Sequence, residues 1–389
     1  MLDFNFYSPT KVFFGIDKEK EVGNILLSYD IKKILLVYGK TSIIKSGLYD
    51  RVITSLKENG IEYLELSGIE ANPKIDKVRL GVKLIKNNPV DLILAVGGGS
   101  VIDTAKAIAC GYYIDDDPWK LSIHEITPTK ALKIGTILTI SAAGSELSNS
   151  CVISNPTLKI KNGFNSDIIR PLFSILNPKL TFTVSPFQTA CGIVDIMMHT
   201  LERFLVDTYD NYFAEEIALG LLRSVIKAGR IVMKDPCNYD ARATLMIASS
   251  FSHNGLTGLG SKFYFTVHKL EHEVSGTFDH IAHAAGLSIL YPAWAKVVYH
   301  DLLYKFAKFA RDVMNVKGED DEKVAYEGII ELEKFFKELN MPTSFKELGV
   351  TSSSFEGMAD RLTKGNNVKV VGFTPLDKSL ILEIFDKAK

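Results

Sequence analysis

Asp91–Asp103 reads DLILAVGGGSVID, and the fold turns on this stretch. Asp91–Val96 is a buried-strand run that stops at Gly97-Gly98-Gly99, and Ser100–Ala109 follows as a helix. A continuous apolar run suits a strand covered on both faces. Glycines carry no Cβ, so the backbone of such a turn can come close to a ligand. The first N–H groups of the helix, with the positive end of its dipole behind them, point at the same spot. A pyrophosphate fits there. A tight strand-to-helix turn with no ligand is the plainer alternative, because the spacing is not G-x-G-x-x-G.

The same alternation extends outward. Lys33–Tyr38 is a second compact apolar run, ending at Gly39. Ser46–Asn59 reads as an amphipathic helix, Ile61–Leu66 alternates like a strand, and Lys74–Asn87 has helical periodicity. Strands alternating with helices predict a parallel sheet with helical crossovers. Gly39-Lys40-Thr41-Ser42 ends like a P-loop, but Ile34 stands where that motif needs a glycine. Past Pro186 the strand signals fade. Helical patterns cover Pro186–Val206, Tyr212–Val232, Ala241–Phe251, Phe263–Val274 and Ala284–Val298. The expected plan is an α/β domain over 1–185, Rossmann-like with a parallel sheet, and an all-helical domain over 186–389. A cleft between two such domains is a natural place for a site.

Composition narrows the function classes. The chain has 389 residues with a formal net charge of −1, so it lacks the basic footprint of a nucleic-acid binder. Cys110, Cys151, Cys191 and Cys237 form no C-x-x-C pair, which fits a reduced, cytoplasmic protein. The opening MLDFNFYSPTKVFFG carries Asp3 and no apolar core of a signal peptide, and no apolar run approaches the ~20 residues of a membrane span.

The chemistry concentrates in the helical half. Asp195 and His199 lie four apart in GIVDIMMHTLE, and His268 and His272 four apart in VHKLEH, so each pair shares a helix face. His280 and His283 follow. One carboxylate with several imidazoles suits Zn²⁺ or Fe²⁺, whereas an all-oxygen set would suit Mg²⁺ or Ca²⁺. Any one of these histidines alone reads as an ordinary packed or surface residue. The H-E-x-x-H protease motif is absent, since Lys269 follows His268.

Taken in order, FNFYSPTKVFFG, LVYGKTS, GGGSVIDTAKAIA, GSELS, SILNPKLTFTVSP, GIVDIMMHTLE, HKLEHEVSGTFDHIAH, GLSILYPAW and GFTPLDKSLILEI resemble the iron-containing (group III) alcohol dehydrogenases, on the side of the NAD(P)H-dependent butanol dehydrogenases. The resemblance runs over nearly the whole chain. It implies hydride transfer between a nicotinamide dinucleotide and a small alcohol or aldehyde, a divalent metal (Fe²⁺ or Zn²⁺), and a homodimer. Carried over residue by residue, it makes Asp195, His199, His268 and His283 the metal ligands, with His280 the rival of His283. It sets His272 near the nicotinamide, as a catalytic residue able to relay a proton. Its cofactor-binding set is Gly39, Lys40, Ser42, Gly97, Gly98, Gly99, Ser100, Asp103, Thr139, Ser141 and Leu176. The chain departs from the family pattern at Ala284, Phe265, Asn177 and Ser141-Ala142-Ala143. The polyol dehydrogenases and dehydroquinate synthases share the two-domain plan, and a non-catalytic remnant of the fold is a reading of another class. Retention of all four ligand positions with the glycine turn speaks against decay.

A carboxylate at the tip of the first strand would hold the adenosine ribose 2′-hydroxyl and repel a 2′-phosphate. Here the strand ends Val37-Tyr38-Gly39-Lys40-Thr41-Ser42, with no acid, so NADP(H) is expected over NAD(H).

Overall fold

The computed structural model describes residues 1–389, which fall into two compact units. One comprises Tyr7–Val184 with Pro236–Ser250; the other comprises Met1–Phe6, Ser185–Asp235 and Phe251–Lys389. Hydrogen bonds tie in the two short segments. The Ser250 hydroxyl donates to the Glu146 carboxylate (2.6 Å) in the first unit, and Leu2 N–H donates to the Gly260 carbonyl (2.8 Å) in the second.

The first unit is built on a six-stranded sheet of β1 (Lys11–Phe14), β2 (Lys33–Tyr38), β3 (Glu62–Leu66), β4 (Leu92–Gly97), β5 (Lys133–Leu138) and β8 (Phe173–Leu176). The order is β1-β8-β5-β4-β2-β3 and every neighbouring pair is parallel. β6 (Ser150–Asn155) and β7 (Ile160–Asn165) form a separate antiparallel pair. The helices are α1 (Val22–Leu27), α2 (Ser42–Lys45), α3 (Leu48–Glu58), α4 (Ile75–Asn87), α5 (Gly99–Gly111) and α6 (Trp119–Ser122). The helix expected from Ser46 starts at Leu48, because the short α2 takes up Ser42–Lys45.

The continuous apolar runs have a direct cause. Successive side chains of a strand point to opposite faces. In β2, Ile34 and Leu36 join one core cluster while Leu35 and Val37 join another. In β4, Leu92, Leu94 and Val96 join the first while Ile93 and Ala95 join the second. A strand with cores on both faces needs an apolar residue at every position. Each such side chain contributes about 1.5–3 kcal/mol of burial.

The second unit is helical: α7 (Pro186–Phe204), α8 (Tyr212–Val232), the last turn of α9 (Tyr239–His253), α10 (Thr266–Thr277), α11 (His283–Val298), α12 (Leu303–Asp312), α13 (Asp321–Glu338), α14 (Phe355–Thr363) and α15 (Lys378–Lys387). α7 starts where the sequence signals it. The Ser185 side chain accepts from Gln188 N–H, and Pro186 takes the first helical position, where a missing N–H costs nothing. From Ile193 to Phe204 every residue of α7 is buried, so its charged groups must find partners inside the protein. α10 begins at Thr266, three residues after the expected start. Phe263 and Phe265 precede it and lie 4.9 and 4.6 Å from the Arg203 guanidinium. No helix is long and apolar enough to cross a membrane.

Candidate metal centre and strand-end site

The buried polar groups of α7 divide into two kinds. Arg203 donates to the His199 carbonyl (2.9 Å), and Glu202 accepts from Val267 N–H (2.7 Å) and pairs with His268 Nδ1. Asp195 Oδ1 and His199 Nδ1 have no hydrogen-bond partner, and neither does His268 Nε2 from α10. Those three atoms face one another. From Asp195 Oδ1 it is 3.6 Å to His199 Nδ1, 3.8 Å to His268 Nε2 and 4.0 Å to His283 Nε2 at the start of α11. An unpaired buried polar atom costs about 1–3 kcal/mol, so three at one point need a common partner. A divalent cation satisfies all of them at once, and one carboxylate with three imidazoles is a donor set that Fe²⁺ and Zn²⁺ accept. The residues present therefore fit a metal ion.

Burial pushes the His199 imidazole well below its usual pKa, with the neighbouring His253, His268, Arg203 and His283 adding to the effect. His199 is thus neutral, as a ligand must be. His268 is also penalised by burial, but the neighbouring Glu202 and Asp195 carboxylates outweigh this and hold it up at about 9.

His283 and His280 are placed differently. His283 joins the cluster, whereas His280 is exposed, with its ring 6.3 Å from Phe278. His272 sits one position past Glu271 on α10, half-buried, with its ring centroid 5.4 Å from that of His283. Its donor atom, with those of Glu271 and His283, forms a second close group adjoining the first. Three further neighbours have no counterpart in the expected set. Glu202 and Glu271 pair with His268 Nδ1 and His283 Nδ1, and the His253 ring stands edge-on to His199 at 4.1 Å. A glutamate three residues after each of His199 and His268 was the readable trace of the first two.

In the sheet unit the expected cofactor residues gather at the carboxyl ends of adjacent strands. Gly39, Lys40 and Ser42 follow β2, Gly97 ends β4 and Gly98–Ser100 follow it, Thr139 and Ser141 follow β5, and Leu176 ends β8. Between β2 and β4 the strand order reverses, and open α/β sheets take ligands outside the strand ends at such a point. Only Gly98 separates β4 from α5, and no side chain caps the helix. A Cβ on Gly97 would meet Val101 Cγ2 at 2.5 Å, and one on Gly98 would meet Ile140 Cγ2 at 2.3 Å. The turn is thus pressed onto its own neighbours.

Two of the expected residues have partners within the protein. Asp103 accepts from the Ser145 hydroxyl (2.6 Å) and from Val152 N–H (3.0 Å), which binds α5 to the loop before β6. Lys40 pairs with Glu70 (2.5 Å), which also meets Lys74 (3.3 Å). Lys106, fully buried one turn after Asp103, donates to oxygens of Ser145, Ser148 and Ser150. Burial pulls its pKa down to about 8, against the opposing charge of the Asp103 carboxylate.

Residues 9–178 match the model of the iron-containing alcohol dehydrogenases, and residues 189–389 match that of the C-terminal domain of the Fe-containing alcohol dehydrogenase family. The chain is 41% identical over 390 residues to NADH-dependent butanol dehydrogenase A of Clostridium acetobutylicum, covering all of both chains. It is 35% identical over 367 residues to the NADPH-dependent aldehyde reductase YqhD of Escherichia coli, covering 93% of each. The crystal structure of NADH-dependent butanol dehydrogenase A from Thermotoga maritima superposes with a TM-score of 0.96 at 35% identity, over 100% of this chain and 99% of that one. With matches of this extent over both halves of its length, the chain belongs to the iron-containing alcohol dehydrogenase family.

Proposed function

We propose that the chain is a metal-dependent oxidoreductase that passes hydride between a nicotinamide dinucleotide and a small aldehyde or primary alcohol, in the manner of a butanol dehydrogenase. The observation that carries this reading is the convergence of Asp195 Oδ1, His199 Nδ1 and His268 Nε2, all without hydrogen-bond partners, with His283 Nε2 beside them. Asp195, His199, His268 and His283 would hold the cation, Fe²⁺ or Zn²⁺. When bound, it supplies Lewis-acid polarisation of the substrate oxygen.

The protein's own groups do the rest. The uncapped N-terminus of α5 and the glycine turn receive the pyrophosphate of the dinucleotide. In the reductive direction the carbonyl carbon takes hydride from the reduced nicotinamide, and its oxygen takes a proton. His272, half-buried beside His283, is placed to relay that proton, since an imidazole titrates near neutrality. Replacing His272 by Ala should leave the metal in place and change the rate or its pH profile; equal metal loss would remove it from this role.

NADP(H) is proposed over NAD(H). Lys40, just beyond β2, pairs with Glu70, which follows β3 and also meets Lys74. A 2′-phosphate would replace Glu70 as the partner of Lys40. Glu70 is also a competing acid next to the strand tip, so the preference should be modest, and Lys40→Ala should reverse it. The ratio of kcat/KM for the two dinucleotides, in both proteins, measures this.

A homodimer is proposed as well. β1 is an open edge of the sheet and exposes Val12 and Phe14, and such edges are otherwise protected in a lone chain. Light scattering should return twice the chain mass. The four cysteines form no disulfide, in keeping with a cytoplasmic location. The direct test of the activity is consumption of NADPH with butanal after reconstitution with Fe²⁺ or Zn²⁺. No turnover with either metal, on a panel of small aldehydes, would defeat the reading.

A further inference from the structure

Two buried glutamates outside the four-residue donor set stand in matching positions. Glu202 lies three residues after His199 on α7, and Glu271 three residues after His268 on α10. Glu202 reaches across to Nδ1 of His268 on α10, and Glu271 reaches across to Nδ1 of His283 on α11. α7 and α10 thus each carry the carboxylate that grips the histidine of the next ligand-bearing helix.

We propose that Glu202 and Glu271 are positioning residues that hold His268 and His283 as Nδ1–H tautomers, so that both Nε2 lone pairs point at Asp195; this rests on the metal reading given above. Three observations support it. Nε2 is the ring nitrogen of both histidines nearest Asp195, at 3.8 and 4.0 Å. Glu202 is locked from its other side, since its second oxygen accepts from Val267 N–H (2.7 Å), the residue before His268. That bond fixes the start of α10 and the His268 ring together. Gly286 makes room for the other pair: a Cβ there would stand 2.8 Å from Glu271 Cγ and 3.1 Å from its Oε1. A carboxylate on the far nitrogen fixes the tautomer and raises the basicity of the ligating one, and losing such a partner typically costs about 10–100-fold in metal affinity.

A purely structural role would leave the tautomers unaffected, so they are the deciding readout. In protein labelled with ¹⁵N-histidine, long-range ¹⁵N–¹H spectra should show His268 and His283 protonated at Nδ1. This should hold with Zn²⁺ bound and in the metal-free protein at a pH where the rings are neutral. Glu202→Ala and Glu271→Ala should each weaken Zn²⁺ binding by about 10–100-fold and alter the absorption bands of the Co²⁺-loaded protein. Glu202→Gln and Glu271→Gln, which keep an acceptor oxygen at the same reach, should recover part of the loss and cover the case in which the alanine variants fail to fold. Wild-type Zn²⁺ affinity in the folded alanine variants would overturn the proposal, as would protons on Nε2 in the wild type. A wild-type chain that binds no divalent metal would instead defeat the metal reading, and the metal-free tautomers would still decide this one.

Discussion

The two candidate sites are made from opposite materials. At the strand ends of the sheet unit, the chain works by leaving side chains out: Gly97, Gly98 and Gly99 have no Cβ, and α5 starts without a cap. In the helical unit it works by adding side chains: α7 buries Asp195, His199 and Glu202 in a stretch, Ile193–Phe204, where every residue is buried. One site is a gap shaped by backbone, the other a set of donor atoms aimed at a point. The first should fail when an atom is added, the second when one is removed.

That contrast can be broken experimentally. The largest effect is expected at Asp195. Asp195→Ala removes the oxygen on which all three imidazoles converge, and several kcal/mol of transition-state stabilisation goes with the cation, a loss of about 1000-fold or more in turnover. Metal analysis alongside steady-state kinetics checks it, and retained metal with normal turnover would contradict it. Removal of the ion from the wild type by a chelator comes next. A ligand present at about 100 times its Kd stabilises by about 2.7 kcal/mol, worth several degrees of melting temperature in a chain of this size. Dinucleotide binding by the chelated protein should stay within about twofold of the loaded protein. Gly98→Ala is the mirror image. Its Cβ would come within 2.3 Å of Ile140 Cγ2, an overpacking of about 1–3 kcal/mol that displaces the turn. The dinucleotide Kd, read by fluorescence titration, should rise about tenfold, while metal content stays at the wild-type value. The smallest effect belongs to Ser100→Ala, which removes a hydroxyl and keeps the backbone N–H groups. Within about twofold is expected, and a loss as large as that of Gly98→Ala would show that side chains, not backbone, make the phosphate site.

The same division decides what could be read from the sequence. Buried strands and the glycine turn are local, contiguous features, and β2, β4 and the start of α5 lie within a residue of where the runs end. The histidine pairs were visible because four-residue spacing puts them on one helix face. β1 left no trace: it is four residues long, and none of its residues is buried. Nothing local in the sequence marks Lys106 as buried; its oxygen partners come from Ser145–Ser150, packed against α5. Asn177, where the family pattern carries an aspartate, donates its amide to the buried Glu19 carboxylate (2.8 Å); two carboxylates there would repel. Glu19 is 158 residues away in sequence, and no local pattern connects them. Lys40 has no acid beside it at the strand tip in the sequence, yet its partner Glu70 comes from the loop after β3, thirty positions on. Contacts made by tertiary packing are the part that spacing does not encode.

Zinc stoichiometry by equilibrium dialysis tests the central claim most directly, applied to the wild type, His283→Ala and His280→Ala. One ion per chain is expected for the wild type and for His280→Ala, with tight binding lost in His283→Ala. If His283→Ala held its zinc as the wild type does, or if only His280→Ala lost it, these four donors would not be the ones that grip the cation.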